Sequence, residues 1–325
     1  MAKLNMVQAI NRALLEEMGN DDLIVVMGED VGVNGGVFRV TEGLYDKFGV
    51  DRVIDTPLAE SGIVGTAIGM AAYGMKPVAE IQFMGFLPPA LDQIISHASR
   101  LRNRSRGRFQ VPMVIRIPFG GGIHAPEHHS ESLETLLVHI PGIKVIVPSS
   151  PHDAKGLMVS AIRDPDPVVF LEPKKIYRAF REEVPEESYT VPIGKARVWR
   201  DGKDLTIISW GTMVRLALEA AEAAAESGYD CGVIDLRTLS PFDEETIVDK
   251  IGKTGRAVIL HEAPRTCSLG AEIVSLIQER VFYYLEAPVE RVAGFDIPMP
   301  LFKMEGLYMP HVDRVLAAIN KVMTS

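Results

Sequence analysis

Six short apolar runs rich in β-branched residues, at 23–27, 52–55, 77–82, 113–117, 144–147 and 168–171, alternate with segments of helical pattern at 5–18, 59–73, 89–102 and 151–163. The runs carry no polar face, so each predicts a strand buried on both sides. Strands of that kind separated by helices predict a mainly parallel sheet with helices on both faces. A break follows at 180–194, FREEVPEESYTVPIG, where prolines and clustered charges replace the periodicity. Beyond it the alternation resumes, with strands expected at 204–211, 231–238, 256–263 and near 291–294 and helices at 214–226, after Pro241 and from about Gly270. A chain of 325 residues that is 47% hydrophobic can bury two cores. The expected fold class is α/β with two doubly wound domains: a first domain over 1–185, a linker over 186–203, and a smaller second domain over 204–325.

The net charge of -9 opposes a general nucleic-acid or anionic-membrane binder. One basic segment, RLRNRSRGR at 100–108, either docks an acidic surface or forms a solvated helix end. Cys231 and Cys267 stand far apart, with no zinc or redox spacing, which predicts a reducing compartment. The N-terminal stretch is amphipathic and contains acidic residues, unlike a signal or transit peptide, and no apolar run reaches membrane-spanning length. A soluble, cytoplasmic protein is expected.

Four stretches could carry chemistry. In DTPLAESGIVG, 55–65, Thr56 and Pro57 suit a helix start and put Glu60 in the first turn, at the sheet edge where open α/β folds bind ligands. A carboxylate there can equally do no more than complement the helix dipole. The helix that follows is crowded with glycine and alanine, which predicts close approach of another subunit or a ligand. In EIQFMGFLPPALDQ, 80–93, Gln82 and Phe86 offer an amide edge and an aromatic face for a flat heteroaromatic ring, while Phe83 reads as core. In PFGGGIHAPEHHSES, 118–132, His124, His128 and His129 follow a glycine-rich loop. Gly and Pro forbid a regular helix across them, which disfavours zinc, so a proton carrier or a solvated loop residue remains.

Some signals are missing. After the strand at 23–27 the chain reads GEDVGVNGG, not GxGxxG, and it holds no GxxxxGK[ST], GxSxG or HExxH. A carboxylate placed for a ligand, without a phosphate-binding loop beside it, points to half of an active site.

Taken together, MVQAINRAL, GEDVG, GGVFRVTEGL, DTPLAESGIVG, PVAEIQF, DAKGL, AIRDPDPVVFLEP, VPIGKA, DLRTLSPFD, KTGRAVILHEAPR and RVAGFDIPMP resemble the beta subunit of the thiamine-diphosphate-dependent E1 component of 2-oxo acid dehydrogenase complexes, of the pyruvate and branched-chain types. The resemblance spans nearly the whole chain. It implies an N-terminal thiamine pyrimidine-binding domain and a transketolase C-terminal-like domain, the latter associated with beta dimerisation and with docking the E2 acyltransferase. It also implies an alpha2beta2 heterotetramer, in which the alpha subunit holds diphosphate and magnesium through a GDG motif that this chain lacks.

By position, the resemblance makes Glu60 the partner of the pyrimidine nitrogen, puts Gln82 and Phe86 around the same ring, and sends His129 into the active site for decarboxylation or acyl transfer to lipoamide. It further implies a potassium site, formed mostly by main-chain atoms, at Met113, Ala161, Ile162, Asp164 and Asp166. The implied enzyme is an oxidoreductase that decarboxylates a 2-oxo acid and acylates the lipoamide of E2. FGGGIHAPE leans towards pyruvate, with branched-chain acids as the alternative. A stand-alone transketolase-like enzyme would need a diphosphate domain of its own, and a noncatalytic assembly subunit would have no use for Glu60, Phe86 and His129 together.

Overall fold

The computed structural model describes Met1–Ser325. Its strands are β1 (Ala2–Leu4), β2 (Ile24–Gly28), β3 (Val53–Asp55), β4 (Lys76–Glu80), β5 (Val114–Phe119), β6 (Lys144–Ile146), β7 (Val168–Pro173), β8 (Glu182–Val184), β9 (Arg197–Arg200), β10 (Leu205–Ser209), β11 (Cys231–Asp235), β12 (Thr238–Ser240), β13 (Ala257–Pro264) and β14 (Glu290–Gly294). A seven-stranded sheet runs β12-β6-β7-β5-β4-β2-β3 and a five-stranded sheet runs β14-β13-β10-β11-β9. Within these two sheets only the edge strands β12 and β9 are antiparallel to their neighbours, and β1 and β8 form a separate antiparallel pair.

Alternation of side chains along each strand feeds both faces of the first sheet. Val26, Val78, Val114 and Val168 join one core with Ile10, Leu14 and Leu157 of the helices Met6–Asn20 and Pro151–Ile162. Their neighbours Met27, Ala79, Ile115 and Val169 join a second core with Ile63, Val64 and Ala67 of the helix Glu60–Ala72. Local chemistry explains the helix starts. Asn5 and Gln8 form a reciprocal capping box. Ser150 caps the later helix, whose first position is Pro151.

Four points differ from the sequence expectation. First, the second core continues into the other domain through Ile208, Trp210, Ile234, Leu236 and Ile259, so there are three cores and the middle one is shared. Second, the expected strand at 231–238 ends at Asp235, and the residues after it form β12, which crosses to the first domain's sheet and pairs with β6. Third, 186–203 is not a free linker. The buried ammonium of Lys155 takes the carbonyls of Pro185, Glu186 and Glu187 at 2.8, 3.1 and 3.0 Å, strapping the start of this stretch to the first domain. Its far end is β9, an edge of the second sheet. The helix expected at 89–102 is likewise broken into short turns around a π segment, Ile94–Ala98.

Candidate active site

From β2 the chain moves outward to β3, and from β4 it moves outward the other way to β5, so the crevice beyond the C-terminal ends of β2 and β4 is a topological switch point. Open α/β sheets bind ligands at such a crevice. Glu29 follows β2 here and Gln82 follows β4, and the Gln82 side-chain amide donates to the Glu29 carbonyl and to the Asp30 carboxylate, both at 3.5 Å.

Glu60 joins them from the β3 side. Thr56 and Pro57 do not start the helix as the sequence suggested. The Thr56 amide still pairs with the Gly28 carbonyl as an extension of the sheet, and the helix opens at Glu60 itself, with no side-chain cap from Ala59. Glu60 therefore lies at the first helical residue, beside amides that lack intrahelical partners, and it is only 9% exposed between exposed neighbours. Burial, then the charges of Asp30 and Glu60, push the Glu29 carboxyl upward.

The opposite wall is aromatic. Phe83 and Phe86 meet edge to face at 5.6 Å, and the His129 ring lies 4.3 Å from Phe83 and 5.2 Å from Phe86. The sequence reading gave Phe83 to the core, and it does both: its ring is buried yet forms the floor under His129. His129 Nδ1 lies 2.7 Å from the Glu127 carbonyl, which can only accept, so the proton sits on Nδ1 and Nε2 is left as the basic nitrogen. Gly85 makes the approach possible, because a Cβ there would fall 2.0 Å from the His128 carbonyl.

The other two histidines diverge from this point. His124 turns to the second domain, its Nδ1 3.0 Å from the Phe302 carbonyl and from Glu305. His128 is exposed, in a left-handed conformation. No three His, Cys, Asp or Glu side chains converge as metal ligands.

Both glycine-rich loops spend their amides inside the chain. Gly32 and Val33 donate to Asp55, and Gly35 and Gly36 donate to the carbonyls of Gly32 and Asp30. In the second loop Gly120 donates to the Glu131 carbonyl, Gly121 to Glu262 at 2.8 Å, and Gly122 and His124 to Glu305 at 2.5 and 2.7 Å. A phosphate would find these donors already taken by the protein's own carboxylates and main-chain carbonyls. The donor set that remains, a near-buried carboxylate, an amide and two aromatic rings, fits a flat aminopyrimidine and offers nothing to a diphosphate.

The segments expected for potassium lie at the opposite, N-terminal edge of the sheet. The Met113 carbonyl accepts from Val168, and the Ala161 carbonyl from Asp164. Ile162 closes its helix. The Asp164 carboxylate is engaged by Lys144 at 2.6 and 2.7 Å and the Asp166 carboxylate by Arg102 at 2.5 Å. Only main-chain oxygens are left there for a cation.

Sequence reasoning missed Glu262, Glu305 and Lys174, which reach the His129 loop from elsewhere in the chain. Burial pushes the Glu262 carboxyl up to about 7 and brings the Lys174 ammonium down to about 8. The one available signal was PFGGG, since consecutive glycines expose amides that some anion must satisfy.

Comparison with known proteins agrees with this geometry. The transketolase pyrimidine-binding domain family matches residues 2–179 and the transketolase C-terminal domain family matches 194–315. Pyruvate dehydrogenase E1 component subunit beta from Acholeplasma laidlawii is 52% identical over 99% of this chain and 98% of its own length. The Bacillus subtilis protein of the same name is 52% identical over 99% of both. A split-gene transketolase described as an inactive beta4 tetramer superposes with a TM-score of 0.81, covering 99% of both chains at 23% identity, and so shares the fold.

Proposed function

The chain belongs to the family of pyruvate dehydrogenase E1 beta subunits, and from that premise we propose that it supplies the pyrimidine half of a thiamine diphosphate site whose diphosphate half belongs to an alpha subunit. The observation that carries this reading is the pairing of a pyrimidine-type donor set with two glycine-rich loops whose glycine amides are already bonded within the chain. A bound thiamine diphosphate would supply there a carbon nucleophile and an electron sink for decarboxylating a 2-oxo acid.

Within this chain Glu60 holds a proton at the pyrimidine nitrogen, where the helix N-terminus keeps its carboxylate oriented and its near-burial strengthens the hydrogen bond. Phe86 and Gln82 fix the ring in the crevice. His129 presents Nε2 from the aromatic wall and moves a proton during acyl transfer to the lipoamide of E2. The substrate we assign is pyruvate. Magnesium accompanies the diphosphate on the alpha subunit, and the carbonyls of Met113, Ala161, Ile162, Asp164 and Asp166 form a structural potassium site remote from the chemistry.

The exposed face of the helix Glu60–Ala72 supports a partner there. Gly69 has no atom within 4 Å of a Cβ built on it, so nothing in this chain requires a glycine, and Tyr73 just beyond the helix is 92% exposed. The division we assign is a pyrimidine-binding unit over 1–185, a connecting stretch over 186–203 and a C-terminal unit over 204–325, supported by the Lys155 strap at the end of the first unit.

The test is reconstitution with an alpha subunit. The lone chain should bind thiamine diphosphate negligibly, and Glu60→Gln should lower turnover of the complex by about 10²–10⁴-fold. Near-normal turnover would remove Glu60 from its role. Steady-state rates with pyruvate, 2-oxobutanoate and 3-methyl-2-oxobutanoate check the substrate, and a clear preference for the branched acid would overturn pyruvate.

A further inference from the structure

Lys174 lies just beyond the end of β7 and is 4% exposed, yet no carboxylate closes on its ammonium to ion-pair distance. Its one hydrogen bond goes to the main-chain carbonyl of His129, at 2.5 Å. The same ammonium stands 5.3 Å from the centre of the Phe83 ring, which packs on the His129 imidazole. A cation taken out of water without an ion partner is costly, and a chain selected for stability alone would place an apolar side chain here. The neighbouring carboxylates Glu262, Glu305 and Glu131 attract it only from a distance, and two of them are themselves occupied with amides of the His129 loop.

We propose that Lys174 is a positioning residue for the acyl-transfer step: it clamps the His129 carbonyl from below while Glu262 and Glu305 hold the start of the same loop from the second domain, so that the imidazole stays against Phe83 with Nε2 facing the site. This rests on the reading of His129 given above. The carboxylates hold the amides of Gly121, Gly122 and His124, and the ammonium holds the carbonyl five residues later, leaving Glu127 to orient the ring.

The experiment uses the reconstituted alpha-beta complex carrying Lys174→Met, which keeps the chain length and removes the charge and the donor. Thermal stability is read at pH about 6, below the Glu262 value, so that loss of the lysine does not strand an ionised carboxyl. The expected result is an unchanged or raised Tm, with amide exchange across 123–131 at least about tenfold faster. Acyl transfer to the lipoyl domain should fall about ten- to a hundredfold in kcat, with KM for the 2-oxo acid unchanged. Lys174→Arg, which keeps a donor, should restore part of the exchange protection.

Unchanged exchange and transfer in Lys174→Met would overturn the proposal. So would a fall in Tm that accounts for the lost activity, since that is what a purely structural lysine predicts. His129→Ala is run beside it. Normal acyl transfer by that variant would remove His129 from the chemistry, while the exchange data would still decide whether Lys174 orders the loop.

Discussion

The floor of the site and its far wall solve the burial of charge in opposite ways. In the floor Arg116 of β5 reaches Glu172 of β7 through two hydrogen bonds at 2.7 and 2.9 Å and Glu80 of β4 through one at 2.5 Å, and Tyr177 closes the group on Glu172. All four residues belong to one domain and bind one another, three of them on the neighbouring strands β4, β5 and β7 and Tyr177 one turn beyond β7. The wall instead draws on both domains, with Glu262 and Glu305 from one and Lys174 and the His129 loop from the other. It leaves the Ser130, Ser132 and Glu134 side chains with oxygens lacking a protein partner. A closed network costs little flexibility where geometry must not change. A seam of carboxylates that hold loop amides across two domains can open, and in the wall that seam carries the His129 loop.

The comparison breaks most directly at Arg116. Arg116→Met would leave two buried carboxyls facing each other without their cation, and the complex should lose about 3–5 kcal/mol of stability in denaturant titrations. A loss below about 1 kcal/mol would mean that the floor relaxes as readily as the wall.

The wall should declare itself through pH. Burial raises the Glu262 carboxyl from 4.5 to about 7, so the folded state holds a proton between those values that the unfolded state has released. Stability therefore falls as pH rises through that window and stays lower above it, by an amount on the order of 3 kcal/mol. Asp235 at the domain junction, also raised by burial to about 7, adds a change of the same sign. Glu262→Gln should flatten the stability profile between these limits while keeping an acceptor for Gly121. An unaltered slope would assign the titration to Asp235 alone.

The smallest effect sharpens the contrast from outside. Gly69→Ala, with open space around the new methyl, should stabilise the isolated chain by about 0.5–1 kcal/mol yet weaken assembly with an alpha subunit, read by thermal melting and by sedimentation. Gain in both would mean that the glycine face is not a partner contact.

The floor's strands were legible because a strand buried on both sides has no polar alternation to hide it. Glu60 was legible because the end of a parallel strand followed by a helix start is a place as well as a motif. Its helix, expected at 59–73, forms at Glu60–Ala72, and only the start signal misled, since the sheet continues its pairing through Thr56 past the point where Pro57 suggested a start. Glu262 and Glu305 were invisible, standing 141 and 183 residues along the chain from the amides they bind. Lys174 was hidden for a different reason: in a sequence a lysine reads as surface, and only its tertiary surroundings show that it is buried. β12 was missed because three residues carry too little pattern to reveal which sheet they join.

That short strand has a consequence for the molecule's solubility. β12 lies along β6, which would otherwise end the first sheet as a bare row of peptide groups able to recruit another chain. The cover is borrowed from the second domain, across a core that both domains fill. A first domain produced without the second would expose that strand edge together with half of the shared apolar face, and so would be prone to aggregate or to exchange strands. The two domains are thus each other's guard against misassembly, and the chain must emerge whole before either is safe.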